Sequence, residues 1–299
     1  MPNVINYAEQ FHEDIMEKYG TELVSVDLFS SNPTIKMTGA KTVRLPKLST
    51  SGYKDHTRGA NGFNSGTYTN EYEPKELDHD RDIEFAVDPM DVDETNLVLE
   101  IQNIQSDFES TQAIPELDCY TFSKVYAETN RVAPANIKTT TLTTANVLKD
   151  FDEVVENLED AGVPISRCII YCTSKYKTLL KNAEGITRTL DASKAGGLDR
   201  RVTSLEDFKE IKTVPLERFK TAYDFADGYA VGATGKQINY IIIDPEAQVS
   251  RVKYSYIKMF APGSDSRTAD NYLYQNRRYN GTFALDGKLA KACYINAEA

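Results

Sequence analysis

The sequence predicts an α+β fold, with helices in the middle of the chain and strands toward both ends. Three observations lead there. Between residues 97 and 180, apolar side chains recur at helical spacings of three and four. β-prone runs fall at 41–48, at 80–87 and repeatedly after residue 200, so the two ends are expected to share a sheet. Between the first two runs, residues 49–76 contain no Val, Ile, Leu or Met at all. Length and composition agree: 299 residues, 40% apolar and 26% charged, suffice for a sizeable core in one large or two modest domains.

In chain order, Val4, Ala8, Phe11, Ile15 and Tyr19 form one apolar stripe and predict a helix over residues 1–20 that stops at Gly20. Residues 22–29 read as a short β-prone piece, followed by a turn at 31–33. Thr42, Val43, Arg44 and Leu45 then alternate like a strand. Residues 49–76 hold Gly52, Gly59, Gly62 and Gly66 among many Ser, Thr and Asn, with aromatics at Tyr53, Phe63, Tyr68 and Tyr72. Such a stretch cannot build its own core, yet it carries more aromatic surface than a solvated linker needs. Set between two β-prone runs, it predicts a long hairpin arm that projects from the body and buries its rings on another molecule. A plain surface loop is the alternative.

Leu97, Ile101, Ile104 and Phe108 mark one face of a helix, with Asp93 or Thr95 as its cap. Pro115 suits the first turn of a second helix carrying Leu117, Tyr120 and Val125 to about residue 128. Val147, Phe151, Val154 and Leu158 define a third, capped by Thr143 or Thr144 and stopped by Gly162 with Pro164 just beyond. Ile169, Ile170 and Tyr171 read as a short buried strand, and Thr173 or Ser174 caps a helix through Leu180. Strands are expected at 208–214, 240–243, 249–259, 283–285 and 292–295. No repeat of solenoid period occurs.

Chemical motifs are scarce. With 34 Lys and Arg against 45 Asp and Glu, the formal charge is −11, the wrong sign for a chain whose main task is to grip phosphate. No run approaches the length of a membrane span, and no basic start followed by an apolar block suggests a signal peptide. The cysteines Cys119, Cys168, Cys172 and Cys293 are too few and too scattered for a disulfide scaffold, so a reduced, intracellular chain is expected. Cys168 and Cys172 would share one side of a strand with Ile170, as small buried residues and not as a zinc site. His12, His56 and His79 have no partner at metal or triad spacing. The acidic run at 88–94 lacks the glycine and glutamate of a calcium loop, since Asp93 and Leu99 stand at its sixth and twelfth positions; helix N-terminal charge explains it better. Gly232, Gly235 and Lys236 look like half a phosphate loop, but Ala230 and Gln237 occupy the positions that should be Gly and Ser or Thr. Neither a nucleophile elbow nor a zinc-protease helix is present. No catalytic, cofactor or metal residue is assigned, and no enzyme is expected.

The stretch from Leu77 to Asn96, with Asp80-Arg81, Phe85-Ala86-Val87-Asp88-Pro89-Met90-Asp91-Val92-Asp93-Glu94-Thr95 inside it, resembles a stretch of the major capsid proteins of tailed bacteriophages. Those proteins share the Hong Kong phage (Johnson) fold. Further stations follow in the same order at 114–118, 214–219, 238–245 and 277–283, so the resemblance spans residues 77 to about 295. It implies an N-arm and lead-in strand at 1–39, an extended loop at 40–82, a peripheral domain at 83–135 and 250–290 with a long spine helix from about 92 to 112, and an axial domain at 136–249 and 291–299. It implies a structural subunit of an icosahedral head that self-assembles into hexamers and pentamers around double-stranded DNA, enclosing it without sequence-specific binding.

A virion location, assembly in the host cytoplasm, a portal partner, and possible scaffold and decoration proteins go with that reading; a membrane and a cofactor do not. Tyr53, Lys54, Phe63, Tyr68, Tyr72 and Arg81 are the inter-subunit contact candidates. Some members of the fold join subunits by a Lys–Asn isopeptide bond, for which Lys54 with Asn271, Asn276 or Asn280 would be the nearest chemistry. About forty residues precede the loop, so a separate scaffold, or none, is expected. A net acidic wall would also leave packaged DNA untrapped. The alternatives are an encapsulin-type nanocompartment shell with the same fold and a metal-dependent enzyme using Asp88, Asp91 and Asp93.

Overall fold

The computed structural model describes residues 23–29, 42–56, 63–94, 101–183, 207–264 and 267–298. The helix expected over residues 1–20 and the turn at 31–33 lie outside them. The arm comes first: β1 (Thr42–Thr50) and β2 (Tyr68–Glu76) form a two-stranded sheet of their own. β3 (His79–Val87) and the short helix α1 (Pro89–Glu94) follow. A long helical run is built from α2 (Ile101–Phe108), a π-helical turn (Glu109–Ala113) and α3 (Ile114–Val132). Then come β4 (Ile137–Lys138), α4 (Val147–Asp160), β5 (Ile169–Cys172), α5 (Ser174–Lys181), β6 (Glu210–Thr213), the small pair β7 (Tyr223–Asp224) and β8 (Ala230–Val231), and β9 (Ile238–Ile243). The long strands β10 (Gln248–Phe260) and β11 (Tyr272–Ala284), the helix α6 (Asp286–Ala292) and β12 (Cys293–Ala297) end the chain.

The core lies on both faces of a mixed five-stranded sheet, ordered β4-β12-β9-β5-β6. Period-two alternation divides its side chains. Ile169, Tyr171, Ile241, Ile243 and Ile295 face α3 and α6, where they meet Phe122, Val125, Leu289 and Ala292. Cys168, Ile170, Cys172, Tyr240 and Ile242 face α4 and α5, meeting Val147, Phe151, Val154, Leu158, Tyr176 and Leu180. The cysteine pair is therefore core packing, as its spacing implied. Burial pushes the Cys168 thiol up to about 12 and the Cys172 thiol to about 11, which leaves both inert. Phe122 centres the first layer, its ring edge-to-face with Tyr171 at 5.2 Å and with Phe219 at 5.0 Å.

The two ends of the chain do share a sheet. β3 pairs antiparallel with β11, and β11 with β10. The inner side of this second sheet packs on α2, where Val87, Ile101 and Tyr274 are buried among Phe85, Ile104 and Phe108. One long helical run thus serves both sheets: α2 and the start of α3 lie under the three-stranded one, and α3 continues under the central one.

Several expectations are corrected. Helix does not break before Pro115. The π-helical turn absorbs the proline: Ile114 N–H bonds back five residues to the Glu109 carbonyl, and the wider turn relieves the clash a proline makes with the carbonyl four residues earlier. That carbonyl, Thr111 O, accepts the Tyr229 hydroxyl at 3.4 Å instead. Residues 23–29 make a 3-10 turn (Val26–Leu28) and not a strand, because the Ser25 and Val24 N–H groups go to the Asp118 carboxylate on α3 while Leu28 enters the core. The residue before α4 is Asn146, whose Oδ1 accepts the Thr143 N–H at 2.7 Å, in place of a threonine cap; Gly162, at φ +70°, ends that helix as expected. The Thr173 cap of α5 is present, its hydroxyl accepting the Tyr176 N–H. Of residues 283–285, Phe283 and Ala284 are the apolar end of a much longer strand, β11, whose polar stretch from Gln275 to Arg278 does not stand out, and Leu285 precedes α6. α6 was not foreseen, being a short helix with Gly287 inside it.

The arm is anchored at its root. Val43 and Leu77 are buried with Val249 and Phe283. Gly281 on β11 makes room for them, since a Cβ there would sit 2.2 Å from Leu77 Cδ2 and 2.8 Å from the Phe283 ring. Asp286, at the start of α6, binds the end of α3 through two Arg131 hydrogen bonds of 2.6 and 3.1 Å and reaches Lys75 of β2 at 3.6 Å. Gly281→Ala is expected to lower stability by roughly 1–3 kcal/mol through overpacking. In the Leu77→Ala background the same change should cost less, because the nearer clashing methyl is gone and only the Phe283 ring is left to give way; additive losses in thermal unfolding would refute this. The Arg131 guanidinium beside Asp286 holds its carboxyl below the ordinary 3.8. A depressed carboxylate adds stability that is present above its unfolded value and lost as pH falls through the folded one. Asp286→Asn should therefore flatten the decline of melting temperature between about pH 5 and pH 2.

Candidate assembly surface

The register of the arm runs from Thr42 opposite Glu76 to Thr50 opposite Tyr68. Directly opposed residues share a face, so Leu48, Tyr68, Tyr72 and Pro74 stand on one side, and Thr69, Glu71, Glu73 and Lys75 on the other. Beyond β1 and β2 the tip is held by its own polar groups. Ser51 N–H donates to the Thr67 carbonyl and Thr67 N–H to Ser51 Oγ, both at 2.9 Å. Lys54 Nζ donates to the Ser65 carbonyl at 3.1 Å, and Asn64 Nδ2 to the Asp55 carbonyl at 2.8 Å. A two-stranded hairpin with no further support is marginal in water, and this one has little: Phe63 is 97% exposed, Tyr68 78%, Leu48 68% and Tyr72 59%, while Tyr53 is fully exposed. Five large apolar side chains on one projecting element form a patch of the kind that marks an interaction site.

The structure places four of the six contact candidates, Tyr53, Phe63, Tyr68 and Tyr72, together on the open arm, and Lys54 at its tip. Arg81 lies elsewhere and is engaged inside its own chain. Its Nε donates to Glu116 Oε1 at 2.7 Å, one terminal nitrogen to the Phe225 carbonyl, and the other to the Gly228 carbonyl at 3.1 Å. It fastens β3, α3 and the β7–β8 turn to one another. His79, buried next to it, stacks on Tyr120 at 4.1 Å, meets Phe225 edge-on and sits 3.4 Å from Glu116. His79, Arg81, Glu116 and Gly228 wall a cleft of about 610 Å³ between the three-stranded sheet and the helical run, which Asp82, Gln112, Asp227 and Asn280 also line.

Beside that cleft is a carboxylate the sequence reading missed. Glu109, in the π-helical turn, is fully buried and accepts from Tyr274 (2.9 Å), Asn276 (2.7 Å) and Arg278 (3.5 Å) of β11. Ile101, Gln105 and Glu109 follow one another at intervals of four, so a polar pair on an otherwise apolar stripe was the available signal. Asn276 and Asn280 are both mostly buried within their own chain, at the wall of that cleft. Asp88 accepts the Met90 N–H at 2.9 Å and so caps α1; among the described residues no cluster of His, Cys, Asp and Glu could hold a metal ion. At the rejected phosphate loop, Gly235 closes a turn onto Gly232 and passes so near the Ala222 carbonyl that a Cβ would lie 2.6 Å from it, which is a packing role. No helix among the described residues is long and apolar enough to cross a membrane.

Truncating Arg81 should loosen three segments at once. Arg81→Ala is expected to lose roughly 2–3 kcal/mol, the worth of hydrogen bonds to a charged group. Arg81→Lys should recover little, since an ammonium cannot span the carboxylate and two carbonyls. Urea unfolding, with limited proteolysis at the 225–228 turn, checks both.

No protein-family model matches the sequence, and no curated protein is similar enough in sequence to be matched. Solved structures are similar in three dimensions. The asymmetric unit of the bacteriophage PhiM1 mature capsid matches at a TM-score of 0.62 and 12% identity, over 87% of this chain and 82% of that one. A Microbacterium phage Oxtober96 chain matches at 0.61 and 12%, over 93% and 92%. The capsid structure of the Cyanophage P-SCSP1u matches at 0.59 and 10%, over 88% and 85%. With its aromatic arm, its helical run of 32 residues under two sheets and this likeness over nearly its whole length, the chain has the fold of the major capsid proteins of tailed phages.

Proposed function

We propose that the protein is the shell-forming subunit of an icosahedral phage head, arranged in hexamers and pentamers around double-stranded DNA and acting without catalysis. The observation that carries this is the arm, a pair of strands whose large apolar groups find no cover on the described body of its own chain. A sister subunit would supply that cover. Each contact alone is weak, but closed symmetry repeats it around every ring, and the linked contacts hold together by avidity.

In this reading residues 40–82 are the extended loop. Residues 83–135 and 250–290 are the peripheral domain and 136–249 with 291–299 the axial domain, in keeping with the two sheets. Tyr53, Phe63, Tyr68 and Tyr72 make the inter-subunit contacts. Arg81 supports them from inside its own chain, by fixing the surface on which an arm can rest. The protein then belongs to the virion and meets a portal protein there. The formal charge of −11 suits a container wall that does not hold its nucleic acid by counterion release.

Purified chain viewed by negative-stain microscopy should show closed particles or rings of subunits. Replacing residues 51–67 with a short Gly-rich turn should leave a folded, soluble subunit by circular dichroism that no longer closes into particles. A small fixed oligomer in both preparations would overturn the proposal. Double-stranded DNA in particles from infected cells distinguishes a phage head from an encapsulin-type compartment.

A further inference from the structure

At one end of the central sheet lies a polar pocket that the shell reading does not use. β5 runs into α5 through Thr173, whose N–H donates to the Asn239 carbonyl near the start of β9 at 3.0 Å. β12 is antiparallel to β9 and so ends at the same place. The loop after β4 reaches these ends as Thr139-Thr140-Thr141, and its backbone is tied down. The Thr140 carbonyl accepts from Asn296 Nδ2 at 3.1 Å, and the Thr141 carbonyl from Asn146 Nδ2 at 2.9 Å. Between this loop and α5 is a pocket of about 250 Å³, lined by the three threonines with Lys175, Tyr176, Asn239 and Glu298.

The pocket holds donors with nothing to bind. The three threonine hydroxyls make no hydrogen bond among the described residues. In the first turn of α5 the Tyr176 N–H goes to the Thr173 hydroxyl and the Lys177 N–H to the Thr173 carbonyl. The Ser174 and Lys175 N–H groups are left open at the positive end of the helix. Lys175 is exposed and pairs with no carboxylate among the described residues. A separate feature lies on the buried side: Tyr176 is 1% exposed, yet its hydroxyl has no hydrogen-bond partner among the described residues. Leaving such a group unpaired is costly, and an acceptor seated in the pocket would relieve it. Ammonium, helix N–H groups and hydroxyls together suit an oxyanion. Volume sets its size: pockets for drug-sized ligands begin at roughly 300 Å³, so this one takes a phosphate group and little more. Glu298, exposed at the rim, is the opposing charge among the lining residues and limits the affinity. The geometry points to a phosphate-binding pocket between the β4–α4 loop and the start of α5. It takes free phosphate or a small phosphomonoester in preference to the phosphodiester of a duplex, which carries a substituent on each side. This does not depend on the shell reading.

Calorimetric titration of inorganic phosphate into the purified full chain, at constant ionic strength, tests it. Saturable binding at one site is expected. Lys175→Ala should weaken it about tenfold, the worth of a charge-assisted hydrogen bond. Glu298→Gln should tighten it about threefold by removing a like charge. Lys149→Ala, on the exposed side of α4, removes the same charge elsewhere and should leave the affinity unchanged. Tyr176→Phe separates binding from folding. It breaks no hydrogen bond among the described residues, so the melting temperature without phosphate should not fall, while phosphate should raise it less than in the parent chain. Glycerol phosphate should displace bound phosphate, and a DNA duplex without terminal phosphates should not. Absence of saturable binding, or affinities that Lys175→Ala and Glu298→Gln both leave unchanged, would overturn the pocket. Displacement by the unphosphorylated duplex would overturn its selectivity and make it a contact for the nucleic-acid backbone.

Discussion

Everything else in this fold is positioned against one long helical run that contacts both sheets, and buried carboxylates set its register. A carboxylate taken out of water is costly unless hydrogen-bond donors replace its hydration. On this run the donors come from distant segments. Glu109 collects its partners from β11, Glu116 from Arg81 of β3, and Asp118 from Ser25 near the start of the described chain and from Arg218 near β7. Sliding the run by one residue would strand all three at once. Apolar packing alone would tolerate many near-equivalent positions for a helix on a sheet. The carboxylates select one, and the peripheral sheet, the N-terminal segment and the β7–β8 turn are fixed relative to each other as a consequence.

The same requirement explains the irregular turn at the centre of the run. Pro115 removes an N–H and would drive its ring into the preceding carbonyl. A kink or a break is the usual outcome, and two helices were expected here. The π-helical turn allows helix to continue on both sides, and the same turn carries Glu109 to the donors of β11. Two defects that would each weaken a plain helix are accommodated by one local change of pitch.

How much of this was readable depended on whether the signal was local. The period-two and period-3.6 patterns gave the central strand at Ile169–Cys172, the faces of α4 and α5, the stop at Gly162 and the sharing of a sheet by the chain's ends, because burial there follows simple alternation. Polar strands escaped. β2 has no aliphatic residue and the first half of β11 is rich in Asn, Gln and Arg, so both are strands by backbone pairing and not by side-chain pattern. That is also why the return of the arm was set at residues 80–87, which instead pair with β11, one strand too late. Arg81 shows the limit for single residues. Its neighbours in sequence said that it mattered, but its three partners lie 35 to 147 residues away, and nothing local says whether it faces another chain or its own.

The arm raises a question of stability that packing within one chain does not answer. Its root is secured by Val43 and Leu77, and its tip by backbone carbonyls accepting from Lys54 and Asn64. Those bonds fix a shape without covering the rings. An element that is pre-shaped but uncovered loses little conformational freedom when it docks, so most of the apolar area it buries then goes to association and not to ordering. A floppy loop with the same aromatics would first have to be ordered. The short polar residues Ser51, Asn64, Ser65 and Thr67 are consistent with this division: they carry the internal hydrogen bonds and leave Tyr53 and Phe63 exposed. Sequence identities of 10–12% with chains of the same fold are then understandable, since the arm asks for exposed rings on a stiff hairpin and the helical run asks for paired carboxylates, and neither demand fixes many residue identities.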